Sequence, residues 1–373
     1  MSIDTFTTTA LVDEFKEKLV GGRVQDTVEL DRQSFGFEIY ANHQRQYLLL
    51  AAHTQSPRAM ISPDKLRRGV PNPSQLGLLL RTRVEGLFLD DVRQPPWERI
   101  LIFDFVGPDD LRLQLVLELI DRRANLVLVE DGVILDCARR IGPDENRVRV
   151  ILPKREYEPP PPIPGERIHP EKISPHTLAT ILNRSPKQKA WLAIVKGIEG
   201  VSPPMAKEAL YRARSDTNTS AKDANPYGID AAFRSFLPQV LKHHWRPGVA
   251  FDENGLAQAL GVYPITHLGE WRDTQTVSEA IALYYGSLEG SAAYEAARKP
   301  IRQQIEKARD KLRGKLVSLE RSMRDDSEVE YLRKAGELLL AYQYGIEAGQ
   351  TELEAQYDVE GDPIKVKIDP DLS

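Results

Sequence analysis

The sequence predicts an α+β, multidomain chain: a strand-rich N-terminal domain, a helical helix-hairpin-helix domain and a partial antiparallel coiled coil. Three observations carry this. Short apolar runs with period-two alternation, separated by polar turns, fill residues 23–153. A proline-rich stretch, "REYEPPPPIPGERIHPEKISP", then interrupts the pattern. Beyond it, apolar residues recur at helical spacing, first to about residue 245 and again from Thr276. At 373 residues the chain is long for one core, so more than one domain is the physical expectation. The boundaries read as 1–153, a linker at 154–172, a hairpin domain at 173–270 and a coiled-coil region at 271–373.

Taken in order, Leu11, Val12, Phe15, Leu19 and Val20 define a first helix that Gly21-Gly22 stops. Strands follow in "RVQDTVELD", "SFGFEIYAN" and "QYLLLAA", with Asn42-His43 as a hairpin turn. "NPSQLGLLLRTRVEG" is a second helix, opened by Pro73-Ser74 and closed by Gly86. "ERILIFDFV", "LRLQLVLELI", "NLVLVED" and "RVRVILP" are four more strands. After the linker, Ser174 caps a helix whose first position is Pro175. Trp191, Ile194, Val195 and Ile198 share one side of the next helix, and "DTNTSAKDANPYG" is a polar loop.

Ile301, Ile305, Ala308, Leu312, Leu316, Leu319 and Met323 then approach a heptad seam, which calls for a partner helix. "VEYLRKAGELLLAYQYGIEAG" is a second helix, too short to return along the whole arm, and "IKVKI" is a short strand. The sequence ends there, so the return arm of the coiled coil is expected to be missing.

Charge is distributed unevenly. The chain carries a formal net charge of −5, yet residues 298–324 hold ten Lys/Arg against three Asp/Glu. Residues 325–373 hold four Lys/Arg against thirteen Asp/Glu. Such a split predicts a directed electrostatic surface on the arm, at Arg302, Lys307, Arg309, Lys311, Arg313 and Lys315.

Several classes are excluded. No apolar run reaches membrane-spanning length, and "MSIDTFTTTALVDEF" has no secretory h-region. The single cysteine, Cys137, cannot form an internal disulfide or a cysteine-rich zinc site. His243-His244 lack metal-ligand spacing, and no phosphate loop, nucleophile elbow or dinucleotide fingerprint is present. No catalytic residue, metal or cofactor is therefore expected, and a cytoplasmic protein fits.

The stretch "GIEGVSPPMAKEAL" reads as a helix-hairpin-helix turn. Gly200, Val201 and Ser202 would present amides to RNA or DNA phosphates, with Pro203-Pro204 opening the second helix and Lys207 facing out. The bland alternative is a helical hairpin that merely packs. Glu98-Arg99 at a strand start can read a base edge, although such pairs are more often surface ion pairs. Asp121-Arg122-Arg123 reads as a charged turn between strands.

The ordered set of these parts resembles the NFACT family (bacterial RqcH, also called fibronectin-binding protein A-like, and eukaryotic NEMF). The residues that carry it are "MSIDTFTTTALVDEF...LVGGRV", "LLLAAH", "LLLRTRVEG" followed by "WERILIF", and "ELIDRRANLVLVE". The proline linker, "GVSPPMAKEAL", "YLRKAGELLLAYQYGIEAG" and "IKVKIDPDLS" complete it across essentially the whole chain. The resemblance implies ribosome-associated quality control. Such a protein binds large ribosomal subunits obstructed by peptidyl-tRNA and recruits tRNA for template-free C-terminal tailing, with alanine in bacteria. The ribosome makes the peptide bond, so a recruiting factor and not an enzyme is expected, as a monomer.

The family's fold implies a glycosylase-like N-terminal domain, but the Pro-Glu start and cysteine finger of those enzymes are absent. By the same resemblance the family's Asp-Arg pair for tRNA falls on Glu98-Arg99, one methylene longer, and an N-terminal acid falls on Asp4. The family also continues into a return helix and a C-terminal RNA-binding domain. A fibronectin-binding surface adhesin and a glycosylase-like DNA-repair protein are the rival readings.

Overall fold

A computed structural model describes residues 3–146, 148–161 and 165–369, with 288–304 and 321–325 described as backbone only. The chain divides into two compact units, Met1–Ser291 and Ala292–Ser373.

The first unit opens with α1 (Thr5–Leu19), capped by the Asp4 carboxylate. Four strands follow: β1 (Arg23–Asp31), β2 (Ser34–Ala41), β3 (Gln44–Ala51) and β4 (Arg58–Ser62). Asn42 and His43 sit at φ 50° and 60°, the left-handed pair that a two-residue hairpin needs to match the twist of its strands. Next comes α2 (Gln75–Leu79), capped by Ser74. It widens into a π turn over Leu80–Val84 and ends at Gly86, φ 87°.

A second meander follows: β5 (Phe88–Arg93), β6 (Ile100–Val106), β7 (Arg112–Glu118), β8 (Asn125–Glu130) and β9 (Val133–Cys137). The two meanders join edge to edge through β1 and β5, giving one nine-stranded antiparallel sheet ordered β4-β3-β2-β1-β5-β6-β7-β8-β9. Strand alternation sorts the side chains. Leu101, Phe103, Leu115, Leu117, Leu126 and Leu128 join Phe6, Leu11 and Phe15 of α1 in the main core. Ile102, Val116, Val127 and Val129 turn to the other face and are covered by Ile141 and Ile151.

The expected strand in "RVRVILP" is corrected. Arg147 lies outside the described residues, and the remainder forms one bridge, Ile151 to Ile141. Its valine–arginine alternation resembled a strand, but Asp131-Gly132 (φ 48° and 79°) turns the chain at once into β9, which takes the place beside β8. The proline-rich segment is stiff yet docked: the Tyr157 hydroxyl donates to Glu118, and Ile168 N–H donates to the Gly197 carbonyl.

The helical region contains α3 (Pro175–Asn183), α4 (Ala190–Gly197), α5 (Pro203–Arg212), α6 (Pro226–Arg234) and α7 (Leu237–Leu241). A three-stranded sheet follows that the sequence reading missed: β10 (Gly248–Phe251), β11 (Ala257–Gly261) and β12 (Glu270–Asp273). Glu208 of α5 fastens the helices to the loop before β12. Its buried carboxylate accepts from Arg212 Nε, from Thr266 N–H and Oγ1, and from His267 N–H, and it pairs with His267 Nδ1.

α8 (Val277–Tyr342) is one 66-residue helix. Its first turns are rooted in the first unit by Ser278, whose N–H donates to Glu14 and whose Oγ accepts from Ile61 N–H. The expected separate helix at 329–349 is corrected: residues 329–342 are the last part of α8, because no helix breaker intervenes, and 343–349 are turns and irregular chain. Ile305, Leu312, Leu316 and Leu319 are more than half exposed, and no partner helix lies along them among the described residues. Ile301 and Met323 have side chains outside the described residues. In the second unit, β13 (Glu352–Ala355) and β14 (Ile364–Lys367) form a hairpin whose Leu353, Ala355 and Val366 pack on Ala335 and Leu338.

Burial alone would push the Glu208 carboxyl up; its hydrogen bonds, from His267, Arg212 and Thr266, overcome this and hold it at about 2. The stabilisation is complete above the ordinary pKa of 4.5 and is lost as pH falls toward 2. Glu208→Gln should lower the unfolding free energy at pH 7 by about 3 kcal/mol. Denaturant melts at pH 7 and pH 3 should show the wild type losing this advantage in acid while the variant changes less.

Candidate nucleic-acid interface

Three pieces of chain meet at one place in the first unit: the start of α1, the β5–β6 turn and the α4–α5 turn. The β5–β6 turn runs through Pro95-Pro96-Trp97-Glu98, with Trp97 at φ 60°. Gln94 holds it, donating from Nε2 to the carbonyls of Thr5 (3.1 Å) and Glu98 (2.6 Å) and accepting from Thr9 Oγ1. The Trp97 ring stands edge-on to Phe6 at 5.9 Å and to His169 at 5.1 Å.

The α4–α5 turn packs directly on this tryptophan. A Cβ on Gly200 would lie 2.7 Å from Trp97 Cε3, and Gly200 sits at φ 71°. Gly200 and Val201 are buried. Any phosphate grip here would rest on the amides of Gly200, Val201 and Ser202 themselves, which stand in the wall of a cavity, and not on the first turn of α5. Pro203 and Pro204 have no N–H, Met205 N–H is taken by Ser202 Oγ, and Ala206 N–H by the Ser202 carbonyl. The first turn of α5 has no donor left for an anion. Lys207 does not reach outward alone either: its ammonium sits 5.1 Å from the Trp191 ring centre.

Asp4 also has a structural task. Its Oδ1 accepts from Thr7 N–H (2.8 Å) and Thr7 Oγ1 (2.7 Å), and its Oδ2 accepts from Ser202 Oγ (2.9 Å). One carboxylate thus caps α1 and clasps the α4–α5 turn to it.

Between these parts lies a cavity of about 520 Å³. Asp4, Glu98, Arg99, Gly200, Val201 and Ser202 all line it, so these residues named from sequence do converge. Lys207 is not in its wall. Arg99 donates from both Nη atoms to Asp121 Oδ2 at 3.3 Å. Burial raises the Glu98 carboxyl above its ordinary value, and Arg167 and Arg99 oppose that rise. Burial in turn lowers Arg167, against the pull of Glu199 and Glu98. Arg167 donates to the carbonyls of Val195 (3.0 Å) and Ile198 (2.7 Å), which ties the linker to the end of α4.

The sequence reading passed over Trp97, Arg167 and the Asp121–Arg123 turn as site residues. A tryptophan after two prolines in a polar turn was a usable signal for the first. Nothing local marked Arg167, which enters the wall through the fold of the linker.

The arrangement offers hydrogen-bond donors, a carboxyl and an aromatic ring around one cavity. Guanidinium donors, a desolvated carboxyl and an indole can meet the polar edge and flat face of a nucleobase. Among the described residues no group of three His, Cys, Asp or Glu could hold a metal ion, and no described helix is long and apolar enough to cross a membrane. On α8, Lys307, Arg309, Lys311, Arg313 and Lys315 are exposed, with Arg309 3.0 Å from Asp310. The side chain of Arg302 lies outside the described residues.

The family described as NFACT N-terminal and middle domains matches residues 4–373. The Bacillus subtilis (strain 168) protein named Rqc2 homolog RqcH is 28% identical over 385 residues, covering 99% of this chain and 64% of the relative. The Streptococcus suis (strain 05ZYH33) protein of the same name is 24% identical over 383 residues, covering 100% of this chain and 64% of the relative. The chain thus spans 64% of the length of these curated relatives. Among solved structures, the N-terminal part of the Streptococcus suis fibronectin/fibrinogen-binding protein matches with TM-score 0.59 at 21% identity, over 76% of this chain and 99% of that one. The Staphylococcus aureus fibrinogen binding protein matches with TM-score 0.60 at 19% identity, over 76% and 99%. At these identities the likeness shows a shared fold.

Gly200→Ala should cost about 1–3 kcal/mol, since it sets an L-residue at positive φ and drives Cβ into Trp97. Thermal unfolding and the tryptophan emission of the native state check this. A wild-type melt with unshifted emission would mean that the turn does not bear on Trp97.

Proposed function

Because the chain belongs to the family of NFACT N-terminal and middle domains, we propose that it serves ribosome-associated quality control. In this reading it binds large ribosomal subunits obstructed by peptidyl-tRNA and recruits tRNA for template-free C-terminal tailing. It supplies recognition while the ribosome supplies peptide-bond chemistry. The observation that carries the reading is the cavity that gathers Glu98, Arg99 and Trp97 under the α4–α5 turn.

Glu98 and Arg99 are the proposed tRNA contacts. Arg99 presents a planar donor fork whose orientation Asp121 sets. Glu98 sits beside it in a partly desolvated position, where an acceptor or a protonated donor discriminates more strongly than it would in water. Asp4 supports the contact at one remove by holding the wall. The exposed cations at Lys307–Lys315 offer ribosomal RNA a sequence-independent phosphate attraction. Cytoplasmic location and a monomeric state belong to the same proposal.

The test is sucrose-gradient sedimentation of the tagged natural protein with stalled large subunits, followed by sequencing of the tRNA that co-sediments. Glu98→Ala and Arg99→Ala should each reduce recovered tRNA by about tenfold, the scale of one lost base contact. Sedimentation with the subunit should stay unchanged. Wild-type tRNA recovery by both variants would remove this cavity from the reading.

A further inference from the structure

We propose that a second cavity, adjoining the first, seats a backbone phosphate of the bound RNA; the inference rests on the RNA reading of the Trp97 cavity. This second cavity has a volume of about 370 Å³ and shares Ile120, Arg123, Pro160 and Pro161 with the first, so the two adjoin along these residues.

The charge balance of its wall points to an anion. Glu118 is fully buried and already satisfied: Arg149 donates to both its oxygens, at 2.9 and 2.5 Å, and the Tyr157 hydroxyl donates at 2.8 Å. That pair is neutral. Arg123 and Arg139 remain in the wall, and neither forms an ion pair with a carboxylate among the described residues. Exposed Glu145 is the other acid in the wall.

Arg139 is also held in place. Its Nη1 donates to the Arg122 carbonyl at 2.8 Å, which anchors one end of the guanidinium. Its Nε is buried and has no hydrogen-bond partner among the described residues. An anchored guanidinium in the same wall as a second one, with no carboxylate paired to either among the described residues, is a phosphate-binding arrangement.

The two cavities differ in what they can hold. The first has the Trp97 ring in its wall. Among the described residues the second has no aromatic side chain in its wall, so these offer a base no ring to stack on, but it has room for phosphate and ribose. A nucleotide read beside Trp97 would thus place a neighbouring phosphate between Arg123 and Arg139, the first fixing identity and the second fixing position.

The test uses the 373-residue chain, purified tRNA, and a five-nucleotide RNA with its abasic counterpart. Binding is followed by fluorescence anisotropy across a KCl series. Arg123→Gln and Arg139→Gln should each flatten the slope of log affinity against log salt by about 0.7, the value for one phosphate on a single strand. Each should weaken normal and abasic oligomers equally. Arg139→Lys keeps the charge and should keep the slope, which separates lost attraction from a disturbed Arg122 turn; melting curves check each variant's fold. Unchanged slopes and unchanged abasic binding in both Gln variants would overturn the proposal. If these variants flatten the slope while Glu98→Ala and Arg99→Ala bind tRNA like wild type, the phosphate site stands and the base-reading cavity fails. If the wild type binds none of the three RNAs, both fall.

Discussion

The Asp4 carboxylate is the constraint on which the site depends. Its two oxygens join chain segments nearly two hundred residues apart: one caps α1, the other receives the Ser202 hydroxyl. That clasp brings Gly200 against Trp97, and Trp97 in turn sits where the β5–β6 turn presents Glu98 and Arg99. The clasp sits on a hydrophobic core that the sheet and the helices share. Asp4 and the hairpin therefore shape a cavity as well as lining it.

Much of the fold was legible because local chemistry agreed with the tertiary result. Asn42-His43 specified a tight hairpin, Ser174-Pro175 a helix start, and the alternating runs at 100–106 and 112–118 two central strands. The failures have particular causes. "RVRVILP" alternates like a strand, but the tight turn at Asp131-Gly132 had already supplied β9 as the neighbour of β8. The small sheet of β10–β12 has strands of four and five residues, too short for a period to stand out. Glu98 and Arg99 stood out as an acid beside a base at a strand start, and a resemblance between ordered motifs gave them their expected role; both line the cavity. Arg167 and Asp121 did not stand out, because each joins the site through a contact distant in sequence.

The chain's net negative charge is compatible with an RNA partner because several acids are spent inside. Glu118 and Glu208 are fully buried among donors, Glu29 accepts from Ser74, and Glu38 is paired with Arg45 and Lys65. These carboxylates organise the protein and project little field into solvent. The cations Arg123 and Arg139, and those of Lys307–Lys315, lie at or near the surface, where phosphate can reach them. Those acids are matched by cations such as Arg149, Arg212, Arg45 and Lys65, so what an RNA partner would meet depends on where the remaining cations stand and not on the formal sum.

The central claim is that RNA enters the cavity whose wall includes the Trp97 indole. The chain contains four tryptophans, so it can be labelled with 5-fluorotryptophan and the Trp97 signal assigned by its loss in Trp97→Phe. On addition of tRNA, fluorine NMR should move the Trp97 resonance and leave that of Trp271 in place. A Trp97 signal that stays fixed while anisotropy reports bound tRNA would contradict the account.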